Sequence, residues 1–360
     1  MQRPRQFQRR VKLVYGDPTG GGLGSGPTVP FTLDSFAGDG PRMSFSVERT
    51  NRGISDRAFI DVYNMPREFR RGLRVDLEQQ WKDRREIQEE VSDPRERARR
   101  LGRVADSFRF NLFTGYGPDE RQLVLLMRGD MINVIPETRR GGVDTITRIE
   151  LGDTLLAMRD SYMREVYGTG ATVTNVLRGA IAAANLEIDE GSEKLISIVA
   201  PNAVVTKLEN GFVARGRVGD TISELVDLFG LQWWIRDGTI YFVPQGATLT
   251  DFSIGLREGR DLLDWNETNS YGDVRGRALL NANIVPGRGL LLQRLDGGRF
   301  DEVGHRVNEV RYRGDTRGSQ WFAQFQATAI SNSLLAPTIE FTSEDFTDQD
   351  NLDTLERQFQ

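Results

Sequence analysis

His305 is the only imidazole that this 360-residue chain could use as a base. The chain has no cysteine, which excludes disulfides, thiolate zinc sites and cysteine nucleophiles. A Ser-His-acid triad would need His305, but that residue stands in a strand-like run (residues 304–307), and no nucleophile-elbow motif occurs. We interpret it as a strand histidine and predict that His305→Gln retains function.

Carboxylates are the remaining route to catalysis, since glycoside hydrolysis needs only two acids at a set separation. The 52 acidic residues mostly lie in charge-mixed surface patterns, and none stands in a clearly apolar setting. Residues 345–353 have metal-like acid spacing but lack the central glycine and final glutamate of an EF-hand loop. The sequence therefore predicts no catalytic, cofactor-binding or metal-ligating residues, no cofactor and no enzyme activity.

A glycine-rich stretch, residues 20–27, could be taken for a phosphate-binding loop. No Lys-Ser or Lys-Thr follows the glycines, and Pro27 and Pro30 fall where a helix should begin. The spacing also misses the dinucleotide-binding pattern. We interpret the stretch as a flexible loop between short strands.

Charge is divided unevenly along a chain whose net charge is −5. Residues 340–360 hold seven acids against one arginine, whereas residues 1–12 hold five basic residues and no acid. The body between them is near neutral, which does not suit a general nucleic-acid binder. No run of 18 apolar residues and no apolar segment of a secretory signal occurs, so no membrane-spanning helix is expected.

Alternation with period two predicts antiparallel strands at residues 43–47, 73–77 and 108–112. A charged stretch then predicts a helical hairpin, with helices at about 78–91 and 94–106 and Asp93 as an N-cap. Its thin apolar stripe consists of Trp81, Ile87, Leu101 and Val104. Two interpretations stay open: a solvated excursion from a barrel, or an arm that contacts a neighbouring subunit. We expect the hairpin and the charged termini to act between chains.

Residues 171–250 have the pattern of a small α/β module. An amphipathic helix follows Thr172 as its cap, and Thr221 with Glu224 predicts a capping box for a second helix that stops at Gly230. Asn210-Gly211 and Asp237-Gly238 predict tight turns, the latter between two strands.

Two adjacent tryptophans, Trp233 and Trp234, point to opposite faces of the first of these strands. One should therefore be core, and the other should be covered by another domain.

Residues 251–335 return to a β pattern with frequent turns, and a faint echo between residues 123–134 and 290–310 suggests a duplication. The predicted fold class is α+β, mainly β: two related small β-barrel domains flanking the α/β module, with the helical hairpin inserted in the first barrel. The predicted division is 1–41, a basic arm and Gly-rich loop with a first strand near 11–15; 42–170, the first barrel with the insertion 78–106; 171–250, the module; 251–335, the second barrel; and 336–360, an acidic tail.

Three motifs in order resemble tailed-phage baseplate hub proteins, which include the late control protein D group and the hub-like half of type VI secretion spike proteins. They are Leu279–Gly287 (LLNANIVPG), Gly304–Val310 (GHRVNEV) and Gly314–Trp321 (GDTRGSQW). Ala282 stands where that family commonly has proline. Weaker matches extend the resemblance over about residues 40–330, at 60–64, 115–116, 128–130, 230–233 and 237–239.

The resemblance implies a structural hub of a phage or phage-like tail: a homotrimeric ring that adapts the sixfold tail tube to the threefold spike or tip and leaves a channel for DNA ejection. The implied partners are a tail tube or distal tail protein, the spike or tip protein and a tape measure protein. DNA would pass only in transit. The implied location is the virion, at the tail baseplate or tip, after assembly in the host cytoplasm.

Two alternatives from other functional classes stay open. A tail-associated cell-wall hydrolase is disfavoured because residues 336–360 are too short for a hydrolase domain. A carbohydrate-binding tail module could stack sugars on tryptophan, but the five tryptophans are scattered at positions 81, 233, 234, 265 and 321.

Overall fold

In a computed structural model of the chain, the described residues are 8–16, 27, 29–37, 40–51, 56–140, 144–153, 161–184, 186–189, 192, 208, 210–227, 230–244, 246–249, 253–293, 304–330 and 338–340. The glycine-rich loop up to Gly26, most of the acidic tail and the basic residues before Gln8 lie outside this set.

Strands dominate the described residues. The first β region and the helical hairpin comprise β1 (Arg9–Tyr15), β2 (Phe31–Asp34), β3 (Met43–Thr50), β4 (Arg57–Tyr63), α1 (Arg67–Glu90), α2 (Pro94–Ser107), β5 (Arg109–Tyr116), a 3₁₀ turn (Glu120–Gln122), β6 (Val124–Arg140) and β7 (Asp144–Gly152). The α/β module comprises β8 (Tyr162–Tyr167), α3 (Val173–Ala183), β9 (Glu187–Ile188), β10 (Phe212–Arg217), α4 (Val218–Asp227), β11 (Leu231–Arg236) and β12 (Thr239–Pro244). The second β region comprises β13 (Ser253–Arg257), β14 (Leu262–Glu267), β15 (Val274–Leu279), β16 (Gly289–Gln293), β17 (Gly304–Asp315), β18 (Trp321–Ile330) and β19 (Thr338–Glu340).

One 14-stranded sheet contains the strands of both β regions. Its main path runs β14-β15-β18-β17-β3-β4-β7-β6-β5-β1-β2, and β13, β16 and β19 branch from it through β17. The link between the two regions is the antiparallel pair β17–β3, which joins Glu309–Asp315 to Ser44–Thr50. A single buried apolar cluster also draws on both regions. The predicted mainly β, α+β class is confirmed, while the number of barrels stays a prediction.

The predicted strand at residues 73–77 is wrong, because these residues belong to α1. Along α1 the buried positions recur at Leu73, Asp76, Gln80 and Arg84, which is helical spacing. Most of these inward residues are polar, so a search for an apolar helical stripe overlooks them. Tyr15 explains one of them, since its buried hydroxyl donates a hydrogen bond to Asp76 Oδ2 at 3.0 Å.

The predicted helical hairpin exists, but it is longer than expected and lies on its own chain. Helix α1 packs on β6, and α2 contacts α3 and β8. Of the four residues in the predicted stripe, Leu101 is buried, Val104 packs against the core and Trp81 is exposed. The inner face of the hairpin packs against the core of this chain through Leu73, Leu77 and Val104. Whether its outer face also touches a neighbour stays a prediction.

Local signals in the α/β module are confirmed at three points and wrong at one. Thr172 caps α3, since its side chain accepts a hydrogen bond from the Asn175 N–H. Gly230 adopts a φ of 62° three residues after α4, and Gly211 (φ 72°) closes a turn onto the Leu208 carbonyl. The capping box at Thr221 is wrong, because α4 begins at Val218 and Thr221 lies inside it.

Gly314 offers a test of the β17–β3 pairing. It lies opposite Phe45, and an added Cβ would lie 2.3 Å from that buried ring. We expect Gly314→Ala to lower the free energy of unfolding by about 1–3 kcal/mol, because the core must shift to admit a methyl group. Urea denaturation measures the change. Gly168→Ala is the control, since nothing lies within 4 Å of its added Cβ, and equal losses in both variants would contradict a close contact at Gly314.

Candidate functional site at the module junction

The residues weighed for chemistry in the sequence do not meet in the structure. His305 is buried in β17, and its Nε2 lies 3.1 Å from the Gly272 carbonyl oxygen, as expected of a strand histidine. Residues 345–353 and 20–26 lie outside the described residues. Across the part of the chain that is described, no group of three or more histidine or acidic side chains could hold a metal ion. Within the same residues, no helix is long and apolar enough to cross a membrane.

The five tryptophans do not form a shared stacking platform. Trp234 and Trp321 are buried, and Trp233 and Trp265 pack partly buried against the two larger cores. Trp81 on α1 is exposed. A sugar-binding surface made from these side chains would therefore have a single aromatic ring.

Polar chemistry concentrates instead where the α/β module meets the sheet. The predicted Asp237-Gly238 turn between β11 and β12 is present, and both of its residues have positive φ, 54° and 88°. Its tip contacts β3, β6 and Asp153, the residue that directly follows β7. Arg49 Nη2 of β3 lies 3.2 Å from Asp237 Oδ1, the Arg128 N–H of β6 donates to the same oxygen at 2.8 Å, and the Asp237 N–H donates to Asp153 Oδ2.

Arg49 is the central cation of this junction. Its Nε lies 3.4 Å from Asp56 Oδ2, and both side chains are 3% exposed. Asp56 also accepts a hydrogen bond from the Thr50 N–H at 3.3 Å, and Asp153 is equally buried. One guanidinium thus faces three carboxylates, those of Asp56, Asp153 and Asp237. We call these four residues the Arg49 cluster.

Burial and charge act in opposite directions in the Arg49 cluster. Burial disfavours the charged form of Arg49, but the carboxylates of Asp237 and Asp56 outweigh it, so the pKa of the guanidinium is raised. Burial raises the pKa of Asp56 well above its ordinary value, while Arg49 opposes the rise. Burial therefore penalises both charged groups, and the charge of Arg49 favours the ionised form of Asp56 against that penalty.

An apolar contact connects the α/β module to the second β region. Trp234 is buried against Val243, Leu249 and Val285 and stacks on Tyr241 at 6.0 Å between ring centroids. At Gly287 an added Cβ would lie 2.5 Å from the Trp234 ring, so glycine permits this close approach. The sequence predicted one tryptophan as core and the other as covered by another domain. Trp233 packs against the core of the module, and Trp234 is buried against Val285 of the second β region, while the domain division itself stays a prediction.

The Arg49 cluster has a structural role: it connects the α/β module to the first β region. Its carboxylates already accept backbone N–H groups and face a guanidinium, so they are held as acceptors rather than presented to a substrate. Sequence reasoning predicted the Asp237 turn but missed Arg49. A signal was available: Met43, Phe45 and Val47 alternate as buried residues of β3, and Arg49 occupies the next buried position. A charged residue in a buried register requires a partner.

Known proteins resemble this chain in fold but not detectably in sequence. No protein-family model matches the chain, and no curated protein matches it. The structure is similar to a tail protein from Neisseria meningitidis MC58, with a TM-score of 0.50, 8% identity and coverage of 92% of this chain and 99% of that chain. It is similar to the 43 kDa tail protein of prophage MuSo2 from Shewanella oneidensis, with a TM-score of 0.50, 7% identity and coverage of 91% and 99%.

These neighbours define the class of fold. A chain of this length that superposes along nearly all of two tail proteins has the tail-protein fold, and the predicted resemblance to phage tail proteins is confirmed at that level. Both neighbours are tail proteins, and at 7–8% identity the likeness shows the fold alone.

Removing the central cation tests the Arg49 cluster. We expect Arg49→Met to lower the free energy of unfolding at pH 7 by about 3–5 kcal/mol, because it leaves buried carboxylates without a counter-charge. The control is Arg277→Met, whose partner Asp264 and whose own side chain are both 49% exposed. An exposed pair contributes about 0–1 kcal/mol. Urea denaturation measures both, and similar losses would contradict a special role for Arg49.

The same variant makes a prediction about pH. Because burial raises the pKa of Asp56 above its ordinary value of 3.8, the folded chain takes up a proton there more readily than the unfolded chain. Without Arg49 the pKa of Asp56 rises further. The stability difference between Arg49→Met and the wild type should therefore be largest at alkaline pH and shrink as the pH falls through the raised pKa of Asp56. A difference that stays constant over the whole pH range in which both proteins remain folded would contradict this assignment.

Proposed function

We propose that the chain is the structural hub of a phage or phage-like tail baseplate. In this proposal three copies form a ring that adapts the sixfold tail tube to the threefold spike or tip and leaves a channel for DNA. The observation that carries the proposal is the joining of two β regions into one sheet by β17–β3, in a chain with the tail-protein fold. Two tube-facing β regions per chain would give six contact units in a trimer, which matches a sixfold partner.

The two β regions would act as paired docking units in such a ring. The Arg49 cluster and the Trp234 contact support this role, because they connect the α/β module to both β regions. The proposed partners are a tail tube or distal tail protein on one side, the spike or tip protein on the other, and a tape measure protein. The proposed location is the tail baseplate or tip of the virion, with assembly in the host cytoplasm.

The oligomeric state tests the proposal. We expect the purified chain, or the chain within its particle, to be a trimer with three times the 40.6 kDa chain mass and an open central channel. Light scattering over a range of concentrations gives the mass, and electron microscopy of assembled tails gives the symmetry. A monomer at all concentrations together with tails that have no threefold ring would overturn it.

The two alternatives make different predictions. A tail-associated hydrolase would degrade purified cell wall, and a carbohydrate-binding module would retain glycans that Trp81→Ala releases. The hub proposal expects neither result. A matched pair of assays on the intact chain, with Trp233→Ala as the control for loss of a partly buried tryptophan, separates these outcomes.

A further inference from the structure

A two-stranded ribbon in the α/β module exposes an unusual surface. Strands β8 and β10 pair with each other, and the described residues contain no third strand in that sheet. The register sets Val213 opposite Val166, Arg215 opposite Arg164 and Arg217 opposite Tyr162. Side chains alternate across a strand, so these six residues share one face. We call them the ribbon face.

The opposite side of the ribbon is already covered. Met163 and Ala214 are buried there, and Phe212 and Tyr167 pack partly buried against the core that α3 and α4 share. Glu165 also points to that side, where its carboxylate accepts a hydrogen bond from the Tyr167 hydroxyl at 2.6 Å. One side of the ribbon is therefore packed against the core of the module, and the ribbon face is the side that points away from that core.

The ribbon face combines exposed apolar groups with positive charge. Val166 is 78% exposed, Val213 is 64% exposed and Tyr162 is 49% exposed. Valines opposite each other normally face a core. Three arginines and no acid complete the six positions. The Tyr162 hydroxyl, as a hydrogen-bond partner, and the charge of nearby Asp220 raise the pKa of Arg217.

The chain itself carries a segment of complementary chemistry. Residues 341–360 contain six acids against one arginine. Between the acids stand apolar residues: Phe341, Phe346, Leu352, Leu355 and Phe359. We propose that this acidic C-terminal segment lies across the ribbon face of its own chain, with its carboxylates on the three arginines and its apolar side chains on Val166 and Val213.

The acidic segment is covalently attached to the chain on which it would dock, so weak contacts are sufficient for binding. Strand β19 ends at Glu340, and the 20 residues after it can span roughly 66 Å when extended. Each exposed ion pair contributes only about 0–1 kcal/mol, so a free peptide of this sequence would bind poorly. Attachment to the same chain supplies an effective concentration on the order of millimolar. The docking is independent of the hub proposal, because it needs a single chain.

The absence of cysteine allows a direct distance measurement. Spin labels at Gly168→Cys, beside the end of β8, and at Gln349→Cys, in the acidic segment, form a unique pair in the full chain. Gly168 tolerates the change, since nothing lies within 4 Å of its added Cβ. We expect one short, narrow distance distribution between the two labels at low salt. The distribution should broaden in about 1 M salt, because the Debye length is then about 3 Å and the ion pairs between exposed charges are screened. A broad distribution at low salt would overturn the proposal.

Charge reversal separates the ribbon face from a general charge effect. Arg164→Glu, Arg215→Glu and Arg217→Glu together should abolish the narrow distribution. The matched control reverses three exposed arginines of α1: Arg71→Glu, Arg74→Glu and Arg85→Glu. Circular dichroism and the unfolding midpoint confirm that each variant folds. An identical narrow distribution in both triple variants would overturn the proposal.

Singly labelled chains distinguish the chain's own segment from that of a second copy. When chains labelled only at residue 168 are mixed with chains labelled only at residue 349, we expect no short distance. A short distance in the mixture, absent from doubly labelled chains diluted with unlabelled protein, would show that the segment docks on a neighbour and would overturn the assignment to the same chain.

Discussion

The pairing of β17 with β3 is the constraint on which the rest of the molecule depends. Seven residue pairs, from Glu309–Thr50 to Asp315–Ser44, join strands that are more than 250 positions apart in the chain. A shift of one residue would turn the buried Phe45 and Tyr312 to the opposite face. The same register places Arg49 opposite Val310, so the position of the buried cation follows from the pairing of the two β regions.

The Arg49 cluster converts that pairing into a definite place for the α/β module. Hydrophobic contact alone, such as the Trp234 packing, is tolerant of small rotations. A buried guanidinium facing the buried carboxylates of Asp56 and Asp153 is not tolerant, because each lost contact leaves a charge in a medium where it is poorly solvated. The structure thus combines an apolar contact around Trp234 with an ionic contact that favours one orientation of the module.

Sequence reasoning succeeded where the deciding chemistry is local. The alternation at residues 43–47 and the Asp237-Gly238 turn were predicted correctly because a few neighbouring residues determine each of them. It failed for the start of α1, whose inward face is polar and is explained only by distant partners such as Tyr15 for Asp76. The Arg49 cluster was missed for the same reason, since its members come from four separate segments that only the folded sheet brings together.

The way in which the two β regions are joined also determines how force would pass through the molecule. Backbone hydrogen bonds between antiparallel strands lie across the strand direction. A pull along β17 and β3 therefore loads all the bonds of the pairing together instead of one after another. A sliding displacement must break the whole set at once, whereas peeling would break the bonds singly. Among the described strands, the continuous sheet would therefore resist displacement along the strand direction more than displacement that peels one strand from the next.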